Sequence, residues 1–316
     1  MRKILTVAII GIIIFGIFSL WWRNGLAAVN SKDISSKVFV IPKGAAVRTV
    51  GNELKTQGLI KDPVVFFIYI KQNKMDQAIQ AGSYKLSPSM DLPKIMDTIM
   101  HGTVDTWVTI PEGLRSEEIA EILQHEIPTY EPSWVATLKA EEGYLFPDTY
   151  LIPKDADAAS VVSILKGNFT KKIEEIGLSP EDPKLDEIVI LASLIEREAL
   201  RDDEKPLIAS VIYNRLNDGM ALDIDATLQY AKGKNATGKW WSVPMGIDRQ
   251  IDSPYNTYKN AGTPPGAIAN PGIEAIKAAK EPASSGYYYY IHDTKGNVHF
   301  SKTLSEHNQN IEKYLN

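Results

Sequence analysis

Read for hydrophobic periodicity, the chain opens on one unbroken apolar run: no charged residue falls between Ile4 and Trp22. About 20 such residues suffice for a helix to cross the hydrocarbon core of a bilayer, so residues 4–22 are expected to form a transmembrane helix. Arg2 and Lys3 precede the run, while Trp21, Trp22 and Arg23 close it. That asymmetry puts a cytoplasmic tip at 1–3 and the rest of the chain outside the cell membrane. The alternative is a signal peptide cleaved near Gly25-Leu26-Ala27, but the run exceeds the roughly 7 to 15 apolar residues of such segments. A polar linker, 23–36, follows. Alternation then marks strands at 38–42 and 81–86, with helices at about 46–57 and 63–72 between them and another at 92–100. A second small α+β and linking unit covers 103–158, opening with the stretch 106–113 and carrying a helix at 116–126. From 159 to 316 helical spacing dominates until a hairpin, in which 287–291 pairs with 298–300 across Asp293-Thr294-Lys295-Gly296-Asn297. The fold class is α+β, with a mainly helical C-terminal domain.

Within that domain the segment 188–200 places two carboxylates at the end of an otherwise apolar helix. The neighbours of Glu198 at i−3, i−4 and i−7 are Ile195, Leu194 and Leu191, so its carboxyl emerges among hydrocarbon. Desolvation raises a carboxyl pKa, and an acid still protonated near neutral pH is what general-acid cleavage of a glycosidic bond requires. Glu196 looks toward Ala192, Ser193 and Leu200. It is either an understudy for Glu198 or a partner that sets its pKa.

Composition narrows the chemistry. The 316 residues carry a net charge of −5, which gives nucleic acid no basic face to bind. There is no cysteine, so disulfides, thiolate zinc sites and thiol nucleophiles are excluded, and the five histidines show no metal-binding spacing. No serine elbow, P-loop or Rossmann glycine pattern occurs. No cofactor is expected. What remains is a helix, 205–216, ending in Asn214-Arg215, the stretch 222–230 with Asp225 and Thr227, and two loops. These loops, 252–258 and 262–272, are rich in Tyr, Asn, Pro and Gly, the groups that fix sugar hydroxyls and stack on pyranose rings. They nominate Tyr255, Asn256, Tyr258 and Asn270 as cleft residues, with Asn214, Asp225, Thr227 and Glu142 beside them.

The strand-helix-helix-strand order of 37–102 resembles a LysM-like glycan-binding module, a plain α+β spacer being the other reading. The whole chain resembles the endolytic murein transglycosylase (YceG-like) family. The resemblance is carried by Glu142-Gly143 with Phe146-Pro147-Asp148-Thr149, by 192–198, by 209–216, by 253–258, by Pro264-Pro265-Gly266 with 268–272, and by His299-Phe300-Ser301 with His307-Asn308. The chain departs from the family pattern at Ala226, where Asp-Pro-Thr is usual, and at Thr263, where Gly-Leu-Pro-Pro-Gly is usual. The resemblance implies a lysozyme-like catalytic domain over 159–316, and alignment with goose-type lysozymes puts the acid at Glu198. It also implies water-free cleavage of the MurNAc-β-1,4-GlcNAc bond of nascent glycan strands, leaving 1,6-anhydroMurNAc ends and terminating elongation, with peptidoglycan synthases as candidate partners. Two other readings stand beside it. One is a hydrolytic muramidase using a second carboxylate such as Glu142, Asp225 or Glu196; the other is a non-catalytic, membrane-tethered peptidoglycan-binding scaffold.

Overall fold

The computed structural model describes residues 2–75, 79–102 and 104–315; the side chains of residues 2–9 and of His101 lie outside the description. The architecture is α+β, mainly helical with two-stranded sheets, and the chain divides into two compact units.

The first unit comprises residues 1–108, 126–129 and 150–156. It opens with helix α1 (Arg2–Leu26). Strand β1 (Lys37–Ile41), helices α2 (Val47–Thr56) and α3 (Pro63–Gln72), strand β2 (Gly82–Leu86) and helix α4 (Leu92–His101) follow. β1 and β2 pair antiparallel from Lys37↔Leu86 to Ile41↔Gly82. Val50 and Leu54, one helical turn apart on α2, bury against Phe66 and Ile70 of α3. Only glycine fits at position 51, where an added Cβ would come within 2.7 Å of the Phe66 ring. Asp62 caps α3 by accepting from the Val64 amide at 2.8 Å, and its other oxygen accepts from the Trp21 indole at 2.9 Å. Strand β3 (Asp105–Thr109) pairs with β4 (Thr149–Pro153), and the Trp107 indole donates to the Ile41 carbonyl at 3.1 Å.

Trp21, Trp22 and Leu26 pack against this core, whereas Ile12 and Phe15 are each 71% exposed. No helix among the described residues is long and apolar enough to cross a membrane. The first six side chains of the span expected at 4–22 lie outside the described residues.

The second unit comprises residues 109–125, 130–149 and 157–316. Its helices are α5 (Ser116–Glu126), α6 (Trp134–Lys139), α7 (Ala158–Glu175), α8 (Leu185–Glu198), α9 (Lys205–Asn217), α10 (Asp225–Lys232), α11 (Ile273–Lys280) and α12 (Leu304–Tyr314). Val161, Leu165, Phe169 and Ile173 form a one-sided stripe on α7, while α8 is buried on nearly every face. Around α8 pack α9, α10 and α11, the last closely because Ala275, Ala278 and Ala279 face the core. The hairpin forms from β5 (Tyr289–His292) and β6 (Val298–Ser301), in register Tyr290↔Phe300. Its turn is the Asp293–Asn297 segment: Asp293 accepts from the Lys295 and Asn297 amides at 2.8 and 2.9 Å, and Gly296 takes φ +81°.

Candidate active site

Helix α8 ends at Glu198 because Ala199 turns extended, with ψ 135°. The three side chains one and two turns back, Ile195, Leu194 and Leu191, are each 0% exposed, so the glutamate leaves the helix out of hydrocarbon. Burial pushes its carboxyl pKa up, and the Asp225 carboxylate adds to the rise. The Tyr290 hydroxyl, His292 and the Ala226 amide act in the opposite direction. Tyr290 donates to Glu198 Oε2 at 2.7 Å, and its own pKa lies well above the ordinary value because it is buried beside that carboxyl.

Glu198 opens into a cavity of about 540 Å³, walled also by Arg215, Asp225, Arg249, Tyr258 and Tyr290. That volume falls in the range of small-molecule sites, roughly 300–1,000 Å³. Asp225 is the first residue of α10 and accepts from the Tyr258 hydroxyl at 2.7 Å. His307, at the edge of the same cavity, has its pKa lowered by burial and then by Arg215.

The other nominated residues lie elsewhere. Thr227, Asn256 and Asn270 are each 0% exposed, which removes them from the cleft. Thr227 bonds the Ile224 carbonyl at 2.6 Å and Thr257 Oγ1 at 2.9 Å, fastening the start of α10. Asn256 donates to the carbonyls of Arg249 and Ile251 at 3.1 and 2.8 Å and accepts from the Tyr258 amide at 3.0 Å. Asn270 accepts from the Gly143 and Leu145 amides at 2.9 and 3.0 Å and donates to the Leu114 carbonyl and Glu142 at 3.0 Å each. The reason is common to all three: irregular buried backbone needs partners, and short polar side chains supply them. Tyr255 packs against Tyr230 with ring centroids 4.8 Å apart and the rings tilted by 48°, and Asn214 donates to the carbonyls of Ser285 and Tyr287 at 3.0 and 2.9 Å.

Glu142 also sits apart. Its carboxyl accepts from the Ser116 amide at 2.9 Å, Asn270 Nδ2 at 3.0 Å and the Tyr230 hydroxyl at 3.3 Å, beside a separate pocket of about 210 Å³. Burial pushes its pKa up to about 7. Glu196, two residues before Glu198 and so on another helix face, accepts from Lys205 Nζ and the Gly272 amide at 3.2 Å each. The neighbouring charges that bear most on Glu198 are Asp225, which raises its pKa, and His292, which lowers it.

The sequence reading missed Tyr290, Arg215 and Arg249 as cavity residues. The hairpin expected over 287–300 was the one signal for Tyr290, and four consecutive tyrosines do not say which of them faces a site. Arg215 stood beside the nominated Asn214 at the end of its helix, and nothing local marked Arg249. Among the described residues, no group of three or more His, Asp and Glu side chains is placed to hold a metal ion. The arrangement offers one carboxyl biased toward its protonated form, oriented by a phenol, facing a polar cavity that also holds the carboxylates of Asp223 and Asp225.

The YceG-like family model matches residues 39–313. An endolytic murein transglycosylase of Bacillus subtilis is 32% identical over 96% of this chain and 91% of that protein. One from Streptococcus pneumoniae is 28% identical over 90% of this chain, which spans 60% of that protein's length. Among solved structures, a YceG-like protein of Listeria monocytogenes aligns with a TM-score of 0.54 at 31% identity, over 87% of this chain and 99% of that one.

Proposed function

Because the chain belongs to the YceG-like family, we propose that it is a peptidoglycan lytic transglycosylase, cutting within glycan strands at the MurNAc-β-1,4-GlcNAc bond. Glu198 is the general acid and base. Protonated, it gives its proton to the departing oxygen of GlcNAc as the bond to C1 breaks. As carboxylate it then takes the proton of the muramoyl C6 hydroxyl, whose oxygen closes onto C1. The acid is regenerated and a 1,6-anhydro end is left without consumption of water. The observation that carries this reading is the Glu198 carboxyl, raised in pKa and held by Tyr290 at the wall of the large cavity.

One observation favours a second reading. Asp225 shares the cavity, and a carboxylate there is suited to activating water, as in paired-acid hydrolases. Glu142 and Glu196 lie outside that cavity and drop out as candidates for this role. Mass spectrometry of digested strands decides: anhydro ends support the transglycosylase, reducing ends the muramidase. Glu198→Gln should yield neither while melting no lower than the parent, since the amide keeps the volume but can neither give nor recover the proton. Cleavage near the parent rate in that variant would remove Glu198 from the role.

Residues 4–22 serve as a membrane anchor in this reading, supported by the charge-free run and by the exposure of Ile12 and Phe15. A reporter joined after Asn30 should be active only outside the cytoplasm; activity inside would overturn the anchor. The β1-α2-α3-β2 order supports a LysM-like, glycan-contacting role for the first unit. A tethered enzyme of this kind works beside the synthases that extend the strands.

A further inference from the structure

The loop from Trp240 to Gln250 has a base fixed by many bonds and an outer surface with few. Trp240 donates to Glu121 at 3.2 Å and covers the Arg115 guanidinium at 4.5 Å. Trp241 donates to Glu118 at 2.6 Å and lies under Arg197 at 3.8 Å. Asp248 accepts from the Met245 amide and from Lys232 at 2.8 Å each, and the Arg249 carbonyl is held by the buried Asn256. Set on this base, Val243, Met245 and Ile247 are 84%, 62% and 69% exposed, three large apolar side chains within five residues.

Arg249 ends the strip and reaches the cavity that holds Glu198. Its guanidinium lies over the Tyr258 ring at 4.8 Å and makes no ion pair among the described residues. The neighbouring acids have other partners, Asp225 the Tyr258 hydroxyl, Asp248 Lys232 and Asp223 Arg215 at 3.4 Å. A guanidinium stacked on a ring keeps its N–H edges free, and that fork matches a carboxylate with two parallel bonds. A preorganised loop lowers the ordering cost of binding.

An N-acetylated glycan whose lactyl groups are amidated carries no charge for this arginine to meet. The short peptides attached to those lactyl groups carry carboxylates and small apolar side chains. Resting on the reaction proposed above, we propose that the Trp240–Gln250 loop reads the peptide of the murein strand, with Arg249 pairing one of its carboxylates and Val243, Met245 and Ile247 covering its apolar part.

The test compares kcat/KM on peptide-bearing strands with that on the same strands after their peptide carboxylates have been amidated. The parent protein should favour native strands by about tenfold, mainly through KM. Arg249→Gln should bring that ratio close to one, and Arg249→Lys should keep part of it, both melting like the parent. Equal rates on the two substrates in the parent, or a ratio unaltered by Arg249→Gln, would overturn the peptide reading while leaving strand cleavage intact. Absence of any cleavage by the parent would instead sink the proposed reaction, and this inference with it.

Discussion

Glu142→Gln should make the protein more stable at pH 8 and leave it unchanged at pH 4. The carboxyl sits where burial moves its pKa from an ordinary 4.5 to about 7. Below pH 4.5 the folded and unfolded chains both hold the proton and nothing is lost. Between 4.5 and 7 the unfolded chain releases it and the folded chain does not, so stability falls as pH rises; above 7 the loss is constant. At 1.4 kcal/mol per pH unit this amounts to on the order of 3 kcal/mol. Glutamine keeps an acceptor for the Ser116 amide and Asn270 Nδ2, and its NH₂ can donate to the Tyr230 oxygen, so the packing survives while the titration is removed. For a unit of this size 1 kcal/mol corresponds to roughly 2–4 °C in Tm, so melts at pH 8 should rise by roughly 6–12 °C in the variant. The assay is thermal unfolding followed by circular dichroism from pH 4 to 9. Parallel Tm-against-pH curves for the two proteins would refute the argument, because they would show that Glu142 titrates alike in the folded and unfolded chains.

Two substitutions should shift the pH profile of strand cleavage in opposite directions, activity requiring Glu198 with its proton on. Tyr290→Phe removes a bond that favours the carboxylate and should carry the alkaline limb upward in pH, whereas Asp225→Asn removes a charge that disfavours it and should carry the limb downward; limbs that move together would contradict the assigned environment. Asn270→Ala strips four hydrogen bonds from buried partners and should destabilise by on the order of 3–5 kcal/mol, read by urea unfolding. Unaltered stability with lost turnover would return Asn270 to the cleft.

The setting of Glu198 was legible because it needs only local information: once 188–198 is a helix, positions i−3, i−4 and i−7 follow from its geometry. The β5–β6 turn was legible for a similar reason, since Asp293 and Gly296 answer backbone demands within five residues. The loop asparagines were not. An amide among prolines and glycines serves a bound sugar or a buried carbonyl equally well, and the choice depends on chain brought in from elsewhere, Gly143 and Leu145 to Asn270 across more than 120 positions. Arg249 was hidden although Tyr258 is near it in sequence, because its approach to that ring exists only after the irregular loop between them has folded.

Glu198 and the tyrosine that holds it are 92 residues apart, with the acid first. The strand bearing Tyr290 is hung on the end of α9, where Asn214 grips the carbonyls of Ser285 and Tyr287 and Arg215 donates to that of Tyr288 at 2.7 Å. During synthesis the chain therefore carries its reacting group well before it carries the hairpin that orients that group and walls the cavity. An incomplete chain holds a glutamate without its phenol, free to ionise in open water and with no enclosed place for a sugar. For a protein that cuts the wall around the cell, cleavage becomes a property of the finished chain alone.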